Sequence, residues 1–121
     1  MNTTYEEIKR GQIRYINSGY EDDTNSKKIA VIVSADSINR TGDGYMIAYM
    51  TLQPNSDMPT HVTTRSSGRL STVMCEKIFT TRGDRIDECI GELTDTEMDM
   101  LDSCLAIALG LSVGRKNKEK A

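Results

Sequence analysis

The fold class this sequence predicts is a small, mostly β domain whose sheet is strongly bent or closed into a partial barrel, with one long helix at its C-terminal end. Three observations carry that expectation. Short apolar segments with strand periodicity recur through the first two thirds of the chain, turn and loop chemistry separates them, and the one sustained helical period begins after residue 93. At 121 residues and 37% hydrophobic content the chain is one domain, large enough for a single core. Residues 1–114 are read as that domain and 115–121, "RKNKEKA", as a charged flexible tail.

Gln12-Ile13-Arg14-Tyr15-Ile16 alternates polar with apolar and predicts a half-buried strand. The segment 17–28, "NSGYEDDTNSKK", has no period and predicts a long exposed loop. Its acids Glu21, Asp22 and Asp23 would repel a polyanion, so they are read as part of a movable lid. Ile29-Ala30-Val31-Ile32-Val33 is a continuous, mostly β-branched run, as in a central strand buried on both faces. "ADSINR" offers at most one helical turn, and Thr41-Gly42-Asp43-Gly44 a tight turn. The next strand places Tyr45, Ile47, Tyr49 and Thr51 on one face and Met46, Ala48, Met50 and Leu52 on the other. His61-Val62-Thr63-Thr64 is a fourth short strand. "LSTVMCEKIFTT" is a fifth, with Thr72, Met74, Glu76 and Ile78 opposite Val73, Cys75, Lys77 and Phe79.

The helix has the strongest local signals. Thr94-Asp95-Thr96-Glu97 is a capping box, flanked by Leu93 and Met98 at the spacing of a hydrophobic staple. Met98, Leu101, Leu105, Ala108 and Leu109 then form an apolar stripe that Gly110 terminates.

Composition excludes several chemistries. Cys75, Cys89 and Cys104 are an odd set without Cys-x-x-Cys spacing, so they suit neither a disulfide framework nor a zinc ribbon and are read as small buried hydrophobes. The single histidine, His61, cannot build a His-rich metal site, and no Gly-x-Ser-x-Gly elbow is present. Net charge is −3, so contact with nucleic acid requires a local basic patch. No apolar run approaches the roughly 20 residues of a membrane span, and the polar start lacks the order of a signal peptide. A cytoplasmic location follows as an expectation.

Six strings in series, "IKRGQIRYI", "IAVIVSADSIN", "AYMTLQ", "MPTHV", "VMCEKIFT" and "IGELTDTEMDMLDSCLAIALGL", resemble the MazF/PemK (Kid) toxins of bacterial toxin-antitoxin modules. The resemblance runs from about Ile8 to Leu111. It implies an SH3-like small β-barrel with a long C-terminal helix, and a homodimer, an expectation the two apolar faces of the Tyr45–Leu52 segment also support. It further implies an endoribonuclease, an mRNA interferase, that cuts single-stranded RNA without metal or cofactor. The cognate antitoxin would be a partner, DNA would be met only through that antitoxin, and no membrane would be involved.

The chemistry the resemblance implies is attack of the RNA's own 2'-hydroxyl on the adjacent phosphorus, giving a cyclic phosphate and a free 5'-hydroxyl. Such a step needs a group for the 2'-proton, donors for charge on the phosphate oxygens, and an acid for the leaving oxygen. The family's Thr or Ser at the end of the long strand matches Thr51. Its Arg-Pro before the central strand does not match, because Lys28 and Ile29 stand there, and Asn25-Ser26 replace the usual Gly pair. Lysine keeps the charge but not the planar two-pronged donor of guanidinium. Desolvated beside another cation such as Lys27, it could also serve as a base.

A second departure lies in "MCEKIFT". Met74 and Phe79 stand where some relatives carry Arg, Glu76 keeps a carboxylate, and Lys77 replaces Gln. Lys28 and Thr51 are therefore the catalytic candidates. Gln53, Glu76 and Lys77 are candidates for RNA binding or for positioning the site. Glu76 and Lys77 face opposite ways on an ideal strand, so at most one looks into the site unless a bulge intervenes.

Each has a structural rival: Thr51 as a strand-end hydroxyl on backbone, Lys28 as a solvated loop lysine, Gln53 as a surface amide, Glu76 as half of a surface pair. His61 is read as ordering the start of a strand. Two function classes follow: an active endoribonuclease toxin, or a MazF-fold binding module, weakened or inactive in cleavage, that acts through antitoxin and DNA regulation or on another target such as gyrase.

Overall fold

A computed structural model of the chain describes residues 7–17, 27–53 and 57–111. Most of the expected 17–28 loop, with its acidic lid, and the whole 115–121 tail lie outside the described residues. Six strands and two helices follow in order: β1 (Gln12–Ile16), β2 (Lys28–Ile32), α1 (Asp36–Asn39), β3 (Tyr45–Thr51), β4 (His61–Thr64), β5 (Ser71–Thr81), β6 (Ile86–Glu92) and α2 (Asp95–Leu109). A short 3-10 turn, Gly83–Arg85, joins β5 to β6.

All strand pairs are antiparallel, and the order across the sheet is β4-β5-β3-β2-β1-β6. β4 and β6 are opposite edges of that order, yet a Cβ placed on Gly91 of β6 would run into the Ser66 carbonyl just after β4. The sheet therefore curls until its ends approach one another, which is the partial barrel expected.

Five strands were expected and six are present. β6 reads weakly in sequence because three acids and a glycine interrupt its apolar residues Ile86, Cys89 and Ile90. Charge is what an edge strand tolerates. Its pairing to β1 carries two register irregularities, and it changes the surroundings of β1. Gln12 and Arg14, expected to face solvent, are only 6% and 5% exposed. Arg14 Nε donates to the Asp87 carbonyl at 2.9 Å and Nη1 to Gln12 Oε1 at 2.9 Å, so both polar groups are buried with partners.

The sheet is filled on both faces. One apolar cluster takes Ile13, Val31, Ala48, Met50, Val62, Val73 and Cys75 with Leu93, Leu101 and Leu105. The other takes Ile16, Ala30, Ile32 and Ile47, with Tyr49 and Ile86 packed against it. Successive residues of β2 and β3 alternate between the clusters, as the sequence pattern required. The middle of β3, Ile47 to Met50, is thus used on both faces inside the chain, while Met46 and Leu52 toward its ends stay 37% and 41% exposed.

α2 begins as its capping box dictates: Thr94 Oγ1 accepts the Glu97 amide at 3.2 Å and Glu97 Oε1 accepts the Thr94 amide at 3.0 Å. It ends at Gly110 in the left-handed region at φ 69°. Leu101 and Leu105 are buried, and Met98, Cys104 and Ala108 pack beside them. Leu109, expected in the stripe, is 56% exposed. Ala108 takes the inward position of that turn, and one residue further lies about 100° round the helix.

β5 departs from simple alternation. Its pairing with β3 passes from Ile78 opposite Ala48 to Val73 opposite Met50, so two steps on β3 span five on β5. An odd number of extra residues inverts the face of everything beyond them. Ile78 consequently packs on the same cluster as Val73 and Cys75, against the expected division. Phe79 comes round to Tyr49, ring centroids 5.0 Å apart and edge-on.

Candidate functional site

A cavity of about 930 Å³ opens where β2 begins, β3 ends and β5 bulges. The strand register explains why the candidates meet there. The β2–β3 ladder runs as far as Ala30 opposite Tyr49, and two residues beyond on each strand, on the same face, are Lys28 and Thr51. Both line the cavity, together with Gln53 and Lys77. Glu76 does not.

Thr51 Oγ1 accepts the Gln53 amide at 3.1 Å. The strand-end hydroxyl is therefore bonded to backbone, and the bond uses an oxygen lone pair while leaving the hydroxyl proton to donate elsewhere. Lys27 is not a bare cation beside Lys28. Its amine lies 2.9 Å from an Asp87 carboxylate oxygen and 5.6 Å from the Tyr15 ring centroid. The Asp87 hydrogen bond holds the Lys27 amine above the ordinary lysine range, and Lys27 holds the Asp87 carboxyl below the usual carboxylate range. The structure thus removes the neighbouring free charge that motivated Lys28 as a base.

Glu76 turns to β4. Its carboxylate accepts from Thr60 Oγ1 at 2.7 Å and from His61 Nε2 at 2.9 Å, the imidazole being 3% exposed. Burial would raise the Glu76 carboxyl, but the His61 and Thr60 hydrogen bonds outweigh it and hold the group below its ordinary value. The group ties the first residues of β4 to β5, outside the cavity. Cys75 is buried beside it, and desolvation pushes its thiol up to about 12, so it behaves as a hydrophobe rather than a nucleophile.

Sequence reasoning missed Arg69, Tyr15, Tyr49 and Phe79, all of which line the cavity. Tyr15, Tyr49 and Phe79 enter the sequence reading only as strand residues, Phe79 at a position where some relatives carry Arg, and Arg69 does not enter it. The cavity wall carries four cationic side chains, Lys27, Lys28, Arg69 and Lys77, and no carboxylate among the described residues. In a chain of net charge −3 that separation of charge is a local property of the fold. Nor does a group of three or more His, Cys, Asp or Glu able to hold a metal occur among the described residues. Such a pocket suits an anion with flat, apolar parts, as single-stranded nucleic acid has.

Comparison with known proteins assigns this fold to toxins of the MazF type. The profile of the family described as PemK-like, MazF-like toxin of type II toxin-antitoxin system matches residues 9–109, and the chain belongs to that family. Among solved structures it is similar to an endoribonuclease from a mycobacterial species, at 26% identity and TM-score 0.74, over 88% of this chain and 94% of the other. A mycobacterial endoribonuclease in complex with its cognate antitoxin is similar at 28% identity and TM-score 0.73, over 85% and 95%. A MazE-MazF structure from Deinococcus radiodurans shares the fold, at 16% identity and TM-score 0.73, over 88% and 100%. No curated protein matches the chain. No helix among the described residues is long and apolar enough to cross a membrane.

Proposed function

We propose that this chain is the toxin of a toxin-antitoxin pair and acts as a sequence-specific endoribonuclease on single-stranded RNA, in the cytoplasm. The observation that carries the reading is the cavity that joins Thr51 to several cations and three aromatic rings, with no carboxylate among the described residues that line it. The family membership and the endoribonucleases among the solved relatives support it.

In the proposed step the 2'-oxygen attacks phosphorus, the bond from phosphorus to the 5'-oxygen breaks, and a 2',3'-cyclic phosphate and a 5'-hydroxyl result. The Thr51 hydroxyl, its oxygen engaged by Gln53, donates its proton toward a non-bridging phosphate oxygen. Lys28, on the same cavity wall as Thr51, brings positive charge to the phosphate and as an ammonium gives its proton to the leaving 5'-oxygen, while solvent water takes the 2'-proton. Lys77 extends the positive surface along the RNA, and Tyr15, Tyr49 and Phe79 offer faces for unstacked bases. No step needs a metal or a cofactor. The toxin would form a homodimer and be neutralised by a cognate antitoxin, as the antitoxin complex of a mycobacterial relative suggests.

A pool of labelled single-stranded RNA, incubated with the purified protein in excess chelator, tests the reading. Cleavage to cyclic-phosphate ends is expected, slowed by Thr51→Ala on the order of 10²–10³-fold, as for loss of one preorganised donor. RNA left intact across many sequences would sink the enzyme and favour a binding module.

A further inference from the structure

We infer that Arg69 is a phosphate-binding residue of this site, its guanidinium presented to the RNA backbone by a loop that Glu97 clamps; the inference rests on the RNA reading above. The loop joins β4 to β5, and its bonding is unusually complete. Thr64 Oγ1 accepts the Ser66 amide at 2.8 Å and donates to Glu97 Oε2 at 2.7 Å. Ser66 Oγ donates to Glu97 Oε1 at 2.7 Å, and the Ser66 carbonyl lies against Gly91, where any side chain would collide with it. The Gly68 amide donates to the Arg65 carbonyl at 3.0 Å, with Gly68 at φ +100°, a conformation L side chains rarely adopt. The Arg69 carbonyl itself accepts two hydroxyls, Ser67 Oγ at 3.0 Å and Ser71 Oγ at 3.2 Å.

The backbone of Arg69 is therefore fixed, while its side chain is not. The residue is exposed and lines the cavity, and its guanidinium makes no hydrogen bond or ion pair among the described residues. Of the other cations on that wall, Lys27 is engaged by Asp87. Lys28 and Lys77 carry point charges, whereas guanidinium can direct two parallel N–H donors at one phosphate. Because the loop is already ordered, binding costs only the freedom of the arginine side chain. Glu97 is the positioning residue, since it alone bonds both Thr64 and Ser66 from the first turn of α2.

The test uses fluorescence anisotropy with a random pool of short oligoribonucleotides in which fluorine replaces every 2'-hydroxyl, so that binding is read without cleavage. Arg69→Ala is expected to bind about tenfold to a hundredfold more weakly, the usual effect of losing a charge-assisted hydrogen bond. Its plot of log affinity against log salt should be shallower by ~0.7, one phosphate's share on a single strand. Arg69→Lys should restore the salt slope but only part of the affinity. Glu97→Gln should weaken binding in the wild-type background and add little once Arg69 is alanine, the signature of action through that residue. An Arg69→Ala protein that binds with wild-type affinity and slope, while wild type binds and cuts RNA, overturns this inference alone. Wild type that fails to bind at low salt overturns the RNA reading and this inference together. Additive effects of the two substitutions would remove Glu97 from its role. Urea unfolding of each variant separates a binding loss from misfolding.

Discussion

Thr51 Oγ1 accepts the Gln53 amide, and that single contact selects which way its own proton can go. The bond was legible as a possibility, since a strand-end threonine commonly bonds the backbone two residues on. What the sequence could not show was that the backbone bond is accepted by the oxygen, which leaves the hydroxyl proton available to a ligand. Glu76 shows the opposite limit. Its position in the family pattern placed it near the chemistry, and its hydrogen bonds to Thr60 and His61 draw it to β4 instead. This arrangement has a pH consequence. The folded carboxyl lies below its ordinary value of 4.5, so the folded state binds a proton less readily than the unfolded chain. Stability from this group is therefore present above 4.5 and lost as pH falls through the lowered folded value. Glu76→Gln should be less stable than wild type near neutrality and flatter in its urea midpoint as pH falls below 4.5. Superimposable midpoint–pH curves would show that the group contributes nothing.

Element by element, legibility followed how local the determining physics is. α2 was readable to its first and last residues because a capping box, an apolar stripe and a terminal glycine all act within a few positions. β2 and β3 were readable because their side-chain pattern reflects burial on both faces. The bulge of β5 was not: it arises where one strand must serve β4 and β3 at different positions, and nothing in "MCEKIF" marks it. β6 was missed because an edge strand carries acids that disguise its period. Arg69 was missed for a related reason, as the loop that carries it is held through Thr64 and Ser66 by Glu97, far along the chain. Gly91 offers a check at this scale. Its Cβ-less backbone is what lets the β4–β5 loop sit against β6. Gly91→Ala should cost roughly 1–3 kcal/mol in urea unfolding, the range for overpacking a closed contact. A variant as stable as wild type would show that the loop yields freely.

The whole molecule is acidic, yet its cavity wall is cationic and free of carboxylates among the described residues. The fold achieves this separation by placing Lys28 and Thr51 on one cavity wall, while Asp87 of β6 pairs with Lys27 and Glu88 and Glu92 do not line the cavity. A mass of two chains by light scattering at micromolar concentration is the expected state, and a single-chain mass would overturn the proposed homodimer. The clamp on the Arg69 loop also has a consequence in time. Glu97 lies 31 residues after Ser66, and β6, which pairs with β1 at the edge of the sheet, is the last strand made. A ribosome that has already emitted Lys28 and Thr51 has not yet supplied Gly91, Glu97 or the buried Leu101 and Leu105. Sheet closure, core and loop are thus completed only once Gly91 to Leu105 have been made, as expected of a fold dominated by contacts distant in sequence. A fragment ending before Gly91 would carry Lys28 and Thr51 without the contacts of β6 and α2 that close the sheet and fill its core.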